Sequence, residues 1–313
     1  MLLPLPGASP ILVTGANGRL GRRLVQWLAR LDPPREVRAV VRSERAAQDV
    51  RAIPGAAPEV RVVDYRDAAA LAGVAVGCDA AVHLVGILKE TRANRYEDAH
   101  ERPSAALAEA AAKSSLRRVV CVSILGSRPD SDNRCLASKG RAEQILLAGP
   151  TPAVILRVPM VLGPGDPAAL ALARQARAGR VRLVRGGASR EQPIAADDVV
   201  RAIAAALLRT GLGGEALDLA GPESLSRRDL VLRAARVLGV KVSVGSLPLA
   251  PVGVFAWLCE RLLADPPLTP AMLGVLEHDD DVDPAPAARR LGIELTPLDE
   301  TLRRALLAGE ESR

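Results

Sequence analysis

Three glycines at three-residue spacing, Gly15, Gly18 and Gly21, punctuate the stretch VTGANGRLG at 13–21. The first permits a tight turn, the second lets the backbone approach a ligand, and the third lets a helix pack closely on the preceding strand. A helix that starts here aims free N–H groups and a partial positive charge at whatever rests on the loop. That chemistry is phosphate binding. With an apolar strand before the loop and leucines at helical spacing after it, the expected ligand is the pyrophosphate of a dinucleotide, held by Gly15, Asn17, Gly18, Arg19, Leu20 and Gly21. The next informative position lies about 20 residues further on, at the end of the second strand, where a carboxylate would accept the ribose 2′-OH of NAD. Here VVRS at 40–43 places Arg42, a cation suited to a 2′-phosphate, and Arg19 adds a second charge. The expected cofactor is NADP(H), with NAD(H) left open through Glu36 or Glu44.

The elements that must position these residues alternate through the first half of the chain. Short apolar runs at 11–13, 37–41, 60–63, 80–85, 119–122 and 153–158 read as buried strands. Helices are predicted over 19–31, 44–52, 67–71, 94–112 and 138–147. Near-continuous apolar strands alternating with helices predict an α/β fold, a Rossmann-type doubly wound parallel sheet. After Pro159 the rhythm changes, with helices expected at 168–178, 198–208 and 227–238 and strands at 181–184 and 216–219. The expected division is a Rossmann core over 1–160 and a smaller mixed lobe over 161–313, with some chain exchange between them.

The 313 residues carry 42 Lys and Arg against 36 Asp and Glu, a net charge of +6. The basic residues are mostly arginines scattered among acids. One Phe, two Tyr and two Trp leave little to stack on bases, so nucleic acid is not an expected partner. An anionic cofactor, or a negatively charged membrane or protein partner, fits the charge equally well. Cys78, Cys121, Cys135 and Cys259 form no CxxC pair, and with three histidines no metal site is expected. A reducing cytoplasm is the simplest location. Met1–Pro10 lacks a basic start and is broken by three prolines, so it reads as a lead-in to the first strand. The acidic residues at 277–281 read as a solvated loop.

Several stretches resemble the extended and atypical short-chain dehydrogenase/reductases: TGANGRLG (14–21), VDYRD (63–67), HLVGIL (83–88), SKGRAE (138–143), LRVP (156–159), QPIAADDV (192–199) and PLT (267–269). HLVGIL is the most specific, and is similar to the branch that includes the 39-kDa accessory subunit of respiratory complex I and its bacterial relatives. The resemblance implies Asp64 and Tyr65 near the adenine, and Leu84, Val85 and Gly86 near its ribose and the pyrophosphate. It also implies Ser123 beside the nicotinamide and Pro159 at the cofactor. Without the family, Asp64 is equally a turn residue, and Leu84 and Val85 are equally core. Enzymes of this kind usually move a proton with a Tyr four residues before a Lys, helped by a Ser. The Lys cation lowers the phenol's pKa toward working pH, and the Ser orients the substrate oxygen. Lys139 is present, with Ser138 beside it, but four residues earlier stands Cys135. Lys139 keeps its implied second role on the nicotinamide ribose hydroxyls. Cys135 is either a small apolar replacement or an acid whose thiol pKa the cation lowers. The candidate catalytic set is therefore Lys139, Ser123 and Cys135.

Two functions follow. One is an NADP(H)-binding protein with a degenerate active site, in a structural, assembly or sensing role at a respiratory complex or in quinone metabolism. The other is an NADPH-dependent oxidoreductase for a carbonyl or quinone substrate, with Cys135 or a water as the altered proton donor. The segment LPLAPVGVFAWLCERLL at 247–263 holds the only Phe and one of two Trp. It reads either as a helix packed on the lobe's own core or as a surface helix docking on a membrane interface or a respiratory-complex partner. It is too short to span a bilayer. The second reading places the protein peripherally at the inner face of a membrane.

Overall fold

Strands that are apolar on both faces must be covered twice, and the first half of the chain meets that demand with one helix after each strand. The computed structural model describes residues 9–307, so most of the lead-in expected at Met1–Pro10 lies outside the described residues. The strands are β1 (Ile11–Thr14), β2 (Val37–Val41), β3 (Glu59–Val62), β4 (Ala80–His83), β5 (Arg118–Ile124) and β6 (Ala153–Val158). Between them run α1 (Arg19–Ala29), α2 (Glu44–Arg51), α3 (Ala68–Ala75), α4 (Arg102–Ala112) and α5 (Arg134–Leu147). A seventh strand, Glu215–Asp218, completes a sheet that begins with it and continues β6-β5-β4-β1-β2-β3. β1 is parallel to β2 on one side and to β4 on the other, with Ile11 opposite both Val37 and Ala80. The strand order reverses direction about β1, which opens a crevice at the carboxyl ends of β1 and β4. Beneath it, Leu12, Val40, Leu71, Leu107, Val119 and Ile155 belong to one buried cluster.

Three boundaries differ from expectation, for local reasons. α5 begins at Arg134 because the Asn133 side-chain oxygen accepts the N–H groups of Cys135 (2.9 Å) and Leu136 (3.3 Å). That cap brings Cys135 and Lys139 onto one helix, a turn apart. The helix expected over 94–112 is interrupted: Glu97–Glu101 forms a π turn before α4 starts. The strand expected at 216–219 in the second half sits instead on the central sheet.

The chain clusters into two units, residues up to Arg157 with Val200–Leu217, and Val158–Val199 with everything from Asp218 onward. Elements after β6 are β7 (Val161–Leu162), α6 (Pro167–Arg177), β8 (Arg180–Val184), β9 (Arg190–Glu191), β10 (Ile194–Ala195), α7 (Ala196–Leu208) and β11, the Glu215–Asp218 strand. They continue with β12 (Leu225–Ser226), α8 (Arg227–Val237), β13 (Ser243–Leu247), α9 (Leu249–Leu262), α10 (Pro270–Leu276), α11 (Ala285–Leu291) and α12 (Leu298–Leu307). The second unit's core joins α6, α8 and α12 through Leu172, Leu230, Val231, Leu302 and Leu306. Arg233 of α8 ties Glu223 and Asp299 together at 2.6 Å each. The acidic stretch after Glu277 is held as well as solvated: the Arg190 N–H donates to Asp279 (2.7 Å), and its guanidinium pairs with Asp281 (3.2 Å). No helix among the described residues is long and apolar enough to cross a membrane.

Candidate dinucleotide and redox site

The glycine loop turns at the carboxyl end of β1. Gly15 has φ +75°, and a Cβ there would lie 3.0 Å from the Leu84 carbonyl carbon, where the β4 connection passes. A Cβ on Gly21 would sit 2.6 Å from the Gly15 oxygen, so the first turn of α1 closes on the loop only with glycine. The Gly18 N–H donates to the Gly15 carbonyl (3.0 Å), which shapes the turn. Asn17, Gly18 and Arg19 are exposed, while Leu20 and Gly21 turn inward. Exposed N–H groups at a helix start with a glycine under them fit a dinucleotide's pyrophosphate.

Tyr65, at the end of the third strand's segment, locks this loop from the side. Its hydroxyl accepts the Gly15 N–H (3.1 Å) and donates to the Val40 carbonyl (3.1 Å), tying β1, β2 and the chain after β3 together. Burial pushes the Tyr65 phenol up, so it stays protonated and able to donate. The Arg42 guanidinium lies over the Tyr65 ring, 5.7 Å from its centroid. Beside them a cleft of about 510 Å³ is lined by Arg42, Ser43, Asp64, Tyr65, Arg66 and Val85, among others. Asp64 is half-exposed and pairs with Arg66 (2.7 Å), which holds its carboxyl at about 2. The structure therefore gathers the loop, Arg42, Asp64, Tyr65, Leu84 and Val85 at one crevice, with Arg42 exposed.

Lys139 meets the same connection after β4. It is buried, with its amine 3.3 Å from the Val85 carbonyl, to which it donates. A Cβ on Gly86 would lie 2.7 Å from that amine, so glycine at 86 is what admits the lysine. Cys135 is wholly buried, its sulfur 3.8 Å from the Ile87 carbonyl. Of the two readings of Cys135, the one in which the cation lowers the thiol fails. Burial outweighs Lys139 and pushes the Cys135 thiol up to about 11. Ser123 is buried on β5 and its hydroxyl contacts that of Ser127 at 3.4 Å. Ser138 donates to Glu101 (2.8 Å). Pro159 belongs to the second unit.

Residues that the sequence reading passed over complete the setting. From the π turn, His100 presents Nε2 to the Ile87 N–H, which donates at 3.1 Å, and its ring stacks on Tyr96 at 5.5 Å. The Tyr96 hydroxyl donates to the Leu88 carbonyl (2.9 Å) and lies in hydrogen-bond contact with the Cys135 sulfur. His83, at the end of β4, places Nδ1 2.7 Å from the Thr14 hydroxyl. Burial first, and the Lys139 charge second, push both His83 and His100 down to about 3, so both rings are neutral at physiological pH. The four-residue spacing of Tyr96 and His100 was the available signal, since it puts both on one helix face.

A parallel sheet with a glycine turn, a loop-locking phenol and a buried lysine at the switch point defines a dinucleotide-binding Rossmann protein of the short-chain dehydrogenase/reductase kind. More narrowly, the chain belongs to the NAD(P)H-binding family, whose model matches residues 15–210. It is 30% identical over 240 residues to a ceramide reductase of Caulobacter vibrioides, covering 76% of this chain and 73% of that one. It is also 30% identical over 226 residues to the mitochondrial NADH dehydrogenase (ubiquinone) 1 alpha subcomplex subunit 9 of Arabidopsis thaliana. That match takes in 70% of this chain and 55% of the plant subunit, so the chain spans little more than half of that relative's length. In fold it resembles the Bordetella bronchiseptica enzyme WbmF, solved in complex with NAD+, with a TM-score of 0.71 at 20% identity over 98% of this chain and 94% of the other.

Proposed function

We propose that the protein binds NADP(H) and that its redox centre has lost the phenol that usually delivers the proton, leaving a structural, assembly or sensing role linked to a respiratory complex or to quinone metabolism. One observation carries this reading: four residues before Lys139 stands a wholly buried cysteine whose thiol is raised to about 11. Such a thiol is a poor acid, and it is too short to reach a substrate from the helix face.

The chain's own residues are arranged to hold the cofactor. The loop N–H groups meet the pyrophosphate, Arg42 meets the 2′-phosphate, and Lys139 meets the nicotinamide ribose hydroxyls. When bound, the nicotinamide supplies hydride chemistry. Neutral His83 and His100 line the buried side of Lys139 without competing for its charge. Among relatives both roles occur, since one is named as a reductase and another as a subunit of NADH dehydrogenase.

A second reading keeps turnover, and the Tyr96 phenol favours it. Tyr96 reaches the Cys135 sulfur from a different helix, so a hydroxyl stands near the place where the usual tyrosine would start. The deciding assay follows NADPH oxidation against a panel of carbonyls and quinones. The first reading expects no substrate-dependent turnover above background despite a tight NADPH complex. Turnover abolished by Lys139→Ala overturns it, and loss with Tyr96→Phe but not Cys135→Ala assigns the proton to Tyr96.

A further inference from the structure

The second unit carries an apolar surface of a kind found nowhere else among the described residues. Val254, Phe255, Trp257, Leu258 and Leu262 of α9, with Leu263 after it, are 41% to 70% exposed. The remaining exposed large apolar side chains outside this segment, such as Val62, Val76 and Leu170, are scattered singly. The helix buries Ala256 and Cys259, and α10 packs against it. The outward side repeats at 251, 254, 255, 258 and 262, the three- and four-residue spacing of one helix face. Glu260 is partly buried, four residues from buried Ala256 and so on the packed side. Arg261 lies over the Trp257 ring, 5.5 Å from its centroid. An arginine on a tryptophan at the edge of an apolar face matches the boundary between lipid headgroups and acyl chains.

Charge names the occupant. β13 runs into α9 through Pro248 and pairs in parallel with β8, with Leu247 opposite Val184. β8 exposes Arg180 and Arg182, Lys241 is exposed just before β13, and Arg185 follows β8, where it faces Glu277. Residues 178–189 and 239–259 contain no Asp or Glu, whereas the rest of the unit carries more acidic than basic residues. The apolar helix thus continues from a ribbon that exposes Arg180, Arg182 and Lys241 and carries no acid of its own. A second copy pairing through this face by two-fold symmetry would bring like charges together. A surface that is negative everywhere meets no such penalty.

We propose that α9 and the β8–β13 ribbon seat this protein on an anionic bilayer, with α9 lying in the interface and the arginines on phosphate headgroups. The 14 residues of α9 make a helix about 21 Å long, short of the roughly 30 Å hydrocarbon core, so it lies in the surface and does not span it. Nucleotide binding is followed separately by an NADPH titration.

The test is co-sedimentation of the full chain with vesicles of phosphatidylcholine alone or mixed with phosphatidylglycerol. In a Trp27→Phe background Trp257 is the sole tryptophan and reports insertion. The proposal expects binding at least about tenfold tighter to the anionic vesicles, weakening with salt, with a blue shift of Trp257 emission and quenching by brominated lipid. Phe255→Ser/Leu258→Ser/Leu262→Ser, with melting and NADPH affinity unchanged, loses that binding, and Arg180→Glu/Arg182→Glu removes the anionic preference. No binding to either vesicle overturns the proposal, as does equal binding to both. A dimer that forms with rising concentration and dissolves in the triple variant assigns the face to a second copy instead.

Discussion

The two ends of the cofactor crevice were built under different constraints. At the glycine-loop end every group that shapes the loop is set by backbone: Gly15 against Leu84, Gly21 against Gly15, and Tyr65 bonded to both Gly15 and Val40. At the Lys139 end the lysine is wedged beside Gly86, while the position a turn earlier holds a thiol that burial keeps protonated. Binding a dinucleotide requires the first set, and moving a proton requires the second. Under the function proposed above, a chain that keeps one and changes the other binds more surely than it turns over.

The largest expected effect is on stability as pH falls, and it belongs to the Lys139 end. His83 and His100 titrate near 3 in the folded protein and near their ordinary 6.5 when unfolded. The unfolded chain therefore binds the extra protons between these values. Stability contributed by the neutral rings is complete above pH 6.5 and is lost as pH falls toward 3, by about 1.4 kcal/mol per pH unit for each ring. Urea midpoints at pH 7, 6 and 5 check this, and His100→Gln is expected to shallow the decline. A flat profile would mean that the rings are hydrated and that the Lys139 end is loosely packed.

Next in size is Gly21→Ala, where the added methyl meets the Gly15 oxygen at 2.6 Å. The expected cost is about 1–3 kcal/mol of stability together with loss of nucleotide affinity, read by thermal melting and calorimetry. Tyr65→Phe is smaller. It leaves the Gly15 N–H and the Val40 carbonyl short of a partner, for about 1–2 kcal/mol of stability, with nucleotide affinity changed only slightly. If Tyr65→Phe abolished binding outright, the phenol would be touching the ligand and not merely holding the loop.

What could be read beforehand follows the same division. The loop and the parallel α/β sheet were legible because glycine is required by backbone geometry, and because buried parallel strands leave long apolar runs. Arg42 was legible for the same reason, by its place at the end of β2. Cys135 was found by spacing, but which of its two readings applies was not legible: the sequence shows the cation beside it and not the burial that outweighs that cation. Tyr96 and His100 were hidden inside a stretch read as one uniform helix, whose π turn sequence periodicity does not reveal. α10 and α11 were missed because Pro270 and Pro286 interrupt the apolar periodicity that marks a helix. Pro270 in fact opens α10, behind a Thr269 cap that accepts the Met272 N–H at 3.1 Å.

The central claim is that this crevice is made for NADP(H), and calorimetric titration with NADPH and NADH, on the wild-type chain and on Arg42→Ala, tests it most directly. The expected result is tighter binding of NADPH, a preference of about tenfold or more that Arg42→Ala removes while NADH affinity stays where it was. Equal affinities in the wild-type chain, or a preference that survives Arg42→Ala, would contradict it.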